Sequence, residues 1–370
     1  GIALRRIGHH EDAIASYTRA IQLQPDHAGA YNNLGNILQF LGRNREAIDS
    51  FSKSVQLDPR NAEAHCNLGH AFNELGQYRE AITAYSNALQ VRPTFDDARA
   101  KLIHLQAVAC DWQAVAASAD KIAGLGLSGE TVGPFVLLSL EDAPERQRRR
   151  AELHAEHTFR HLQHLPALEP PASQPQPLRI GYFSADFHEH ATMYLMIKLF
   201  ELHDRDNFII HAFSYGPDQN DSMGNRLRQA VDVYHDVRQL DEKAIAELAR
   251  AEGIDIAVDL KGYTQNGRTG IFAFRAAPIQ ISYLGYPGTL GLPSMDYIIA
   301  DRWVIPEEQR SNYTEQVIYL PDSYQVNDSE REIAAGTPSR DEAGLPDPAF
   351  VFCCFNNSYK ITSTEFDIWM

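Results

Sequence analysis

Internal repetition constrains this chain more than any other feature. The segments YNNLGNILQFLGRNREAIDSFSKSVQLDP and HCNLGHAFNELGQYREAITAYSNALQVRP align without a gap at a period of 34 residues. Gly8, Gly42 and Gly76 fall on that period, as do Ala13, Ala47 and Ala81, and then Tyr17, Phe51 and Tyr85. Pro25, Pro59 and Pro93 close successive units. Small residues let two helices approach, an aromatic fills the gap to the next unit, and proline stops the second helix. A hairpin of this kind buries its apolar face only by stacking on its neighbours, so a helical superhelix is expected.

The pattern resembles the tetratricopeptide repeat. The first unit starts mid-helix at Gly1, which implies repeats upstream. A degenerate unit is expected from about Asp97 to Ala123, through Trp112, and a worn terminal repeat of this kind caps an array against solvent. Asn33 and Asn67 share a position on the first helix of successive units. They either solvate the concave face or form a ladder of amides that grips an extended peptide by its backbone. Lys101 takes the place of asparagine in the next register.

Charge and cysteine usage narrow the function classes. Among 370 residues, 33 basic side chains face 49 acidic ones, a formal charge of −16. That opposes non-specific nucleic-acid binding, which needs cations to displace phosphate counterions. The densest basic run, Arg146-Gln147-Arg148-Arg149-Arg150, lies among glutamates and is expected to be a solvated helix face. Cys66, Cys110, Cys353 and Cys354 fit neither a disulfide framework nor a CxxC metal site. With no long apolar span and no apolar leader core, neither membrane nor export is expected, and the chain reads as cytoplasmic.

Beyond the repeats the periodicity changes. Residues 127–177 read as a connector, helical from about Pro144 to Leu165 and then proline-rich in PALEPPASQPQP. From Leu178 onward, LRIGYFSADF, FIIHAFSYG, IDIAVDLKG, QISYLGY and MDYIIAD are short β-rich runs with helical segments between several of them. Such alternation predicts a mostly parallel α/β sheet, in which ligands bind beyond the carboxyl ends of strands. DFHEH, LKGYT and LGYPGT all fall at or near such ends. His188 and His190, flanking Glu189, could ligate zinc, work in acid–base chemistry, or decorate a loop. The glycines of LGYPGTLG make a turn that either faces a ligand with its N–H groups or is purely structural. In FNNSYKIT, after the apolar run FVFCCF, a strand, a polar loop and a helix capped by Thr362 or Ser363 are expected, with Lys360 placed to meet a phosphate or simply exposed.

A tetratricopeptide array joined to LRIGYFSADFHEH, VDLKGYT, RAAPIQISYLGYPGT, MDYIIAD and FNNSYKI resembles the protein O-linked N-acetylglucosamine transferases, in a bacterial form. The resemblance implies a multidomain chain: an all-α superhelix followed by α/β Rossmann-like lobes of the GT-B arrangement. It places the repeats at 1–126, the connector at 127–177, the first catalytic lobe at 178–345, and the start of a nucleotide-binding lobe at 346–370, whose remaining half is missing. It implies inverting transfer of N-acetylglucosamine from UDP-GlcNAc to Ser or Thr of a protein held partly by the repeats at Asn33 and Asn67. It implies that no cofactor or metal is required. His190 matches the family's candidate catalytic base, and Lys360 the lysine that neutralises the departing diphosphate. Asn357 stands where the family usually has glutamine, beside the nucleotide. Leu284, Gly285, Tyr286 and Pro287 match the turn beside the donor sugar. Two other readings are a protein O-fucosyltransferase using GDP-fucose and a non-catalytic adaptor that binds peptides through its repeats.

Overall fold

In a computed structural model of the chain, the described residues are all but 2, 3, 5–8, 129, 163, 164, 167, 169–176, 218 and 332–334. Gly8 and most of the proline-rich segment therefore lie outside them. The chain forms two compact units, Gly1–Asp142 with Asn357–Met370, and Ala143–Asn356.

The first unit is the repeat array. Its helices are α1 (His10–Leu23), α2 (Ala28–Phe40), α3 (Asn44–Leu57), α4 (Ala62–Glu74), α5 (Tyr78–Val91) and α6 (Asp96–Val108). Phe51 and Tyr85, both fully buried, lie over Gly35 and Gly69: a Cβ on either glycine would sit 2.6 or 2.7 Å from the ring. Ring and glycine are thus one fitted pair, reproduced once per repeat. Ala47 and Ala81, with no exposed surface, make the close helix contacts. The periodic glycines have a different task from the one their small size suggested. Gly42 and Gly76 have φ of +73° and +69°, with open space where a Cβ would stand, so they supply the left-handed turn after the first helix.

The last repeat is worn as expected, its second helix broken into α7 (Trp112–Ala116) and α8 (Ala119–Ile122). Residues 357–370 pack onto it. Ser358 Oγ donates to Val108 O at 2.6 Å, the Tyr359 ring lies 4.9 Å from that of His104, and Trp112 Nε1 donates to Ile361 O at 2.9 Å. The terminal helix, Ser363–Trp369, opens with the expected cap, a box between Thr362 and Glu365. The expected strand at FVFCCF does not form, and Phe350, Phe352 and Phe355 are 81%, 86% and 96% exposed. A lone extended segment leaves its N–H and C=O groups unpaired, and no described strand lies beside this one.

The second unit opens with α9 (Pro144–Phe159), which belongs to it rather than to a connector. The His154 and Tyr263 rings meet edge-on at 5.0 Å, and a Cβ on Gly291 would strike the backbone of Ala151 and Glu152. The basic run is not wholly solvated: Arg148 and Arg149 pair with Glu152 on the surface, but Arg150 is 1% exposed. Consecutive helical residues sweep round the axis, so five in a row cannot all face water.

A sheet follows, with β1 (Leu178–Ser184), α10 (Ala191–Leu202), β2 (Phe208–Ser214), α11 (Ser222–Ala230), β3 (Val233–Asp236), α12 (Glu242–Ala251) and β4 (Ile256–Asp259). Then come α13 (Gly270–Ala273), β5 (Ile279–Ser282), β6 (Tyr297–Ala300) and β7 (Gln316–Tyr319). All pairings are parallel, in the order β3-β2-β1-β4-β5-β6-β7. Apolar side chains fill both faces of β1. Tyr182 packs edge-on against Phe200 of α10, while the next residue, Phe183, stacks on Phe213 at 4.4 Å. The order reverses between β1 and β4, where a doubly wound sheet opens a crevice at its carboxyl edge.

Replacing Phe51 by alanine should lower the stability of the repeat unit by about 3–5 kcal/mol. A urea midpoint that drops at unchanged slope, followed by far-ultraviolet dichroism, checks this.

Candidate functional site

Three of the quoted motifs meet at the reversal point. DFHEH follows β1, DLKGYT ends β4 and LGYPGT follows β5. Asp186 and Lys261, 75 residues apart, form an ion pair of 2.7 Å with side chains only 9% and 7% exposed. Their pairing joins the ends of β1 and β4.

His190 stands on this pair. It is the N-cap of α10, and its Nδ1 lies 3.2 Å from the Thr192 N–H and 3.4 Å from Asp186 Oδ2. The amide favours a lone pair on Nδ1, and the carboxylate favours a proton there, so the two neighbours select opposite tautomers. Burial, and the charges of Lys261 and His188, push its pKa below the ordinary value, against the pull of Asp186. That shift favours the neutral ring, whose side chain is 40% exposed.

The floor is built by close backbone approach. Gly285 sits where a Cβ would meet Leu260 O at 1.9 Å, and Leu284 before it has φ of +64°. Gly216, after β2, would meet Ala185 O at 1.8 Å. Tyr286 is buried and packs edge-on against Tyr263, while Pro287 is exposed. Asp259 Oδ1 accepts from the N–H groups of Lys261 and Gly262 at 2.8 and 3.1 Å. Its Oδ2 and the buried Tyr215 hydroxyl have no partner among the described residues. Burial pushes the Asp259 carboxyl up to about 6, although those amides and the Lys261 charge oppose it.

The α/β unit thus assembles His190 with the turn 284–287. Asn357 and Lys360 belong to the repeat unit, in the 3₁₀ turn region beside α6, as do Asn33 and Asn67. Within the array, Asn67 Nδ2 donates to Asn32 Oδ1 at 3.1 Å. Asp186, Lys261 and Asp259 escaped assignment from sequence. Each stands in a motif at a strand's end, but only the parallel pairing of β1 with β4 brings Asp186 to Lys261.

An array of helical hairpins and a doubly wound parallel lobe with a charged cluster at its reversal point define a repeat-bearing α/β protein. The model for glycosyl transferase family 41 matches residues 147–335, just over half of the 370, and the chain belongs to that family. Tetratricopeptide repeat models match residues 1–42, 41–76 and 62–95. Among curated relatives, the chain is 35% identical over 197 residues to the probable UDP-N-acetylglucosamine–peptide N-acetylglucosaminyltransferase SEC of Arabidopsis thaliana, covering 52% of this chain and 20% of that one. To the same plant's SPINDLY, which carries the same enzyme description, it is 35% identical over 205 residues, covering 52% and 21%. The chain thus spans about a fifth of the length of these relatives. A solved O-GlcNAc transferase variant of Thermobaculum terrenum matches with a TM-score of 0.60 at 27% identity, covering 99% of this chain and 63% of that one.

Lys261→Met should cost about 3–5 kcal/mol, because it strands a buried carboxylate, and adding Asp186→Asn should recover most of it. Chemical denaturation of the single and double variants measures both. Asp259 binds its proton more tightly folded than unfolded, so its contribution to stability is full below pH about 4. It is lost as pH rises through about 6. Asp259→Asn should remove that decline, seen as a flatter urea midpoint across this window.

Proposed function

We propose that this chain is the acceptor-binding array and first catalytic lobe of an inverting protein O-GlcNAc transferase. The observation that carries this reading is His190 itself, held against the buried Asp186–Lys261 pair at the carboxyl edge of the sheet. The names of the relatives support the donor, UDP-N-acetylglucosamine, and the repeats support a protein acceptor.

In the proposed step a Ser or Thr oxygen attacks the anomeric carbon from the face opposite the diphosphate. The new C–O bond forms as the bond to the diphosphate breaks, which inverts the α-linked donor. The hydroxyl proton goes to His190 Nε2 in the tautomer whose Nδ1–H faces Asp186. The family resemblance assigns to Lys360 the charge of the departing UDP, to Asn357 a nucleotide contact, and to Leu284–Pro287 the turn beside the donor sugar. The chemistry needs no metal or cofactor. Asn33 and Asn67 contribute to acceptor binding. We assign the protein to the cytoplasm, a compartment that suits its four free thiols.

The assay is donor hydrolysis and peptide transfer by the full-length protein, with UDP-N-acetylglucosamine and GDP-fucose side by side. UDP release with modified peptide is expected; turnover of GDP-fucose alone, or of neither donor, overturns the reading. His190→Ala should slow turnover by about 10²–10⁴-fold. Lys360→Met should cost at least as much, because the leaving group carries the larger charge. The kcat/KM profile should fall on the acid side of pH 6.5, the ordinary histidine pKa, and His190→Ala should abolish that limb. A limb that persists in the variant removes the base role from His190.

A further inference from the structure

Three side chains of the repeat array converge on one point. Cys66 and His70 stand one turn apart on α4, and Asp97 lies in the first turn of α6, the first helix of the next unit. Cys66 Sγ is 3.7 Å from His70 Nε2 and 3.7 Å from Asp97 Oδ2, and those two atoms are 3.1 Å apart. The same histidine nitrogen faces both partners. A nucleophile relay uses opposite nitrogens of the ring, one for the thiol and one for the carboxylate. This geometry instead converges, as ligands do around an ion.

From the separations and the ligand chemistry, we propose that Cys66, His70 and Asp97 bind a zinc ion that staples two successive repeats together. Tetrahedral angles at zinc's usual bond lengths place sulfur, nitrogen and oxygen ligands about 3.3–3.6 Å apart. The observed triangle matches within a few tenths of an ångström. Thiolate and carboxylate together balance a divalent charge, and thiolate with imidazole selects zinc over magnesium or calcium. Binding converts the buried thiol to thiolate and releases its proton to solvent. Three protein ligands leave a fourth position for water.

Two further observations point the same way. In the preceding unit the registers of Cys66 and His70 hold Asn32 and Asn36, so repeat packing itself does not demand a thiol and an imidazole there. Beside the triangle stands Tyr85, its ring edge-on to His70 at 5.5 Å and its fully buried hydroxyl without a partner among the described residues.

The test is a spectroscopic titration of the untagged full-length protein, stripped of metal by a chelator. Cobalt(II) should give tetrahedral d–d bands and a thiolate-to-cobalt charge-transfer band that saturates at a single equivalent and is displaced by zinc. Zinc should also raise the melting temperature. Cys66→Ser should lose the charge-transfer band, and Cys353→Ser/Cys354→Ser should keep it. His70→Gln, at a partly exposed position, should weaken binding by more than the about 10–100-fold that losing an outer-shell partner costs. No saturable thiolate band in the wild type, or a band that survives Cys66→Ser, overturns the proposal. Either result leaves the glycosyltransferase reading untouched, because Cys66, His70 and Asp97 have no part in it.

Discussion

The buried ion pair between Asp186 and Lys261 is the constraint on which the α/β unit's site depends. It ties the two strands that flank the reversal of strand order, at the one place where neither neighbouring crossover covers the sheet edge. Removed from water, each charge is tolerable only because the other is present. That mutual dependence fixes the position of the carboxylate facing His190. The glycines serve the same end, since Gly216 and Gly285 let the turns after β2 and β5 close onto the backbone of the turns after β1 and β4.

Electrostatics then divides the labour among the site's ionisable groups. Asp186 keeps a cation at hydrogen-bond distance, whereas Asp259, fixed by backbone amides and deeper in the sheet edge, holds its proton up to about 6. Only one of the two carboxylates in this cluster thus has a full counter-charge. His190, desolvated and beside Lys261, stays neutral where a free histidine would begin to charge. A neutral imidazole at an exposed helix N-terminus can exchange protons with a ligand, which an imidazolium cannot accept.

In the repeat unit the dominant interaction is shape rather than charge. Each glycine–aromatic pair fits one helix against the next, and the 34-residue spacing carries that fit along the array. Residues 357–370 extend the same surface. Tyr359 and Ile361 meet His104 and Trp112 of the worn repeat, which lacks a continuous second helix of its own.

Much of this was legible in sequence because it is local or periodic. The repeat, the alternation of strands and helices, the turn at Leu284–Pro287 and the cap at Thr362 each follow from residues a few positions apart. The conformational role of Gly42 was less visible, since a small residue suits a tight contact and a left-handed turn equally well. Position 190 could be singled out as a strand-end histidine, but its protonation could not, because that depends on Lys261 and Asp186. Arg150 could not be told from its solvated neighbours, nor FVFCCF from a strand, because burial and pairing are properties of what lies alongside. The sequence by itself determined most of the element types, the repeat and the family motifs, all set by short-range geometry and side-chain chemistry. Only the tertiary structure decided which charges meet, which histidine nitrogen faces which partner, and where Cys66 finds Asp97, because those contacts join residues tens of positions apart.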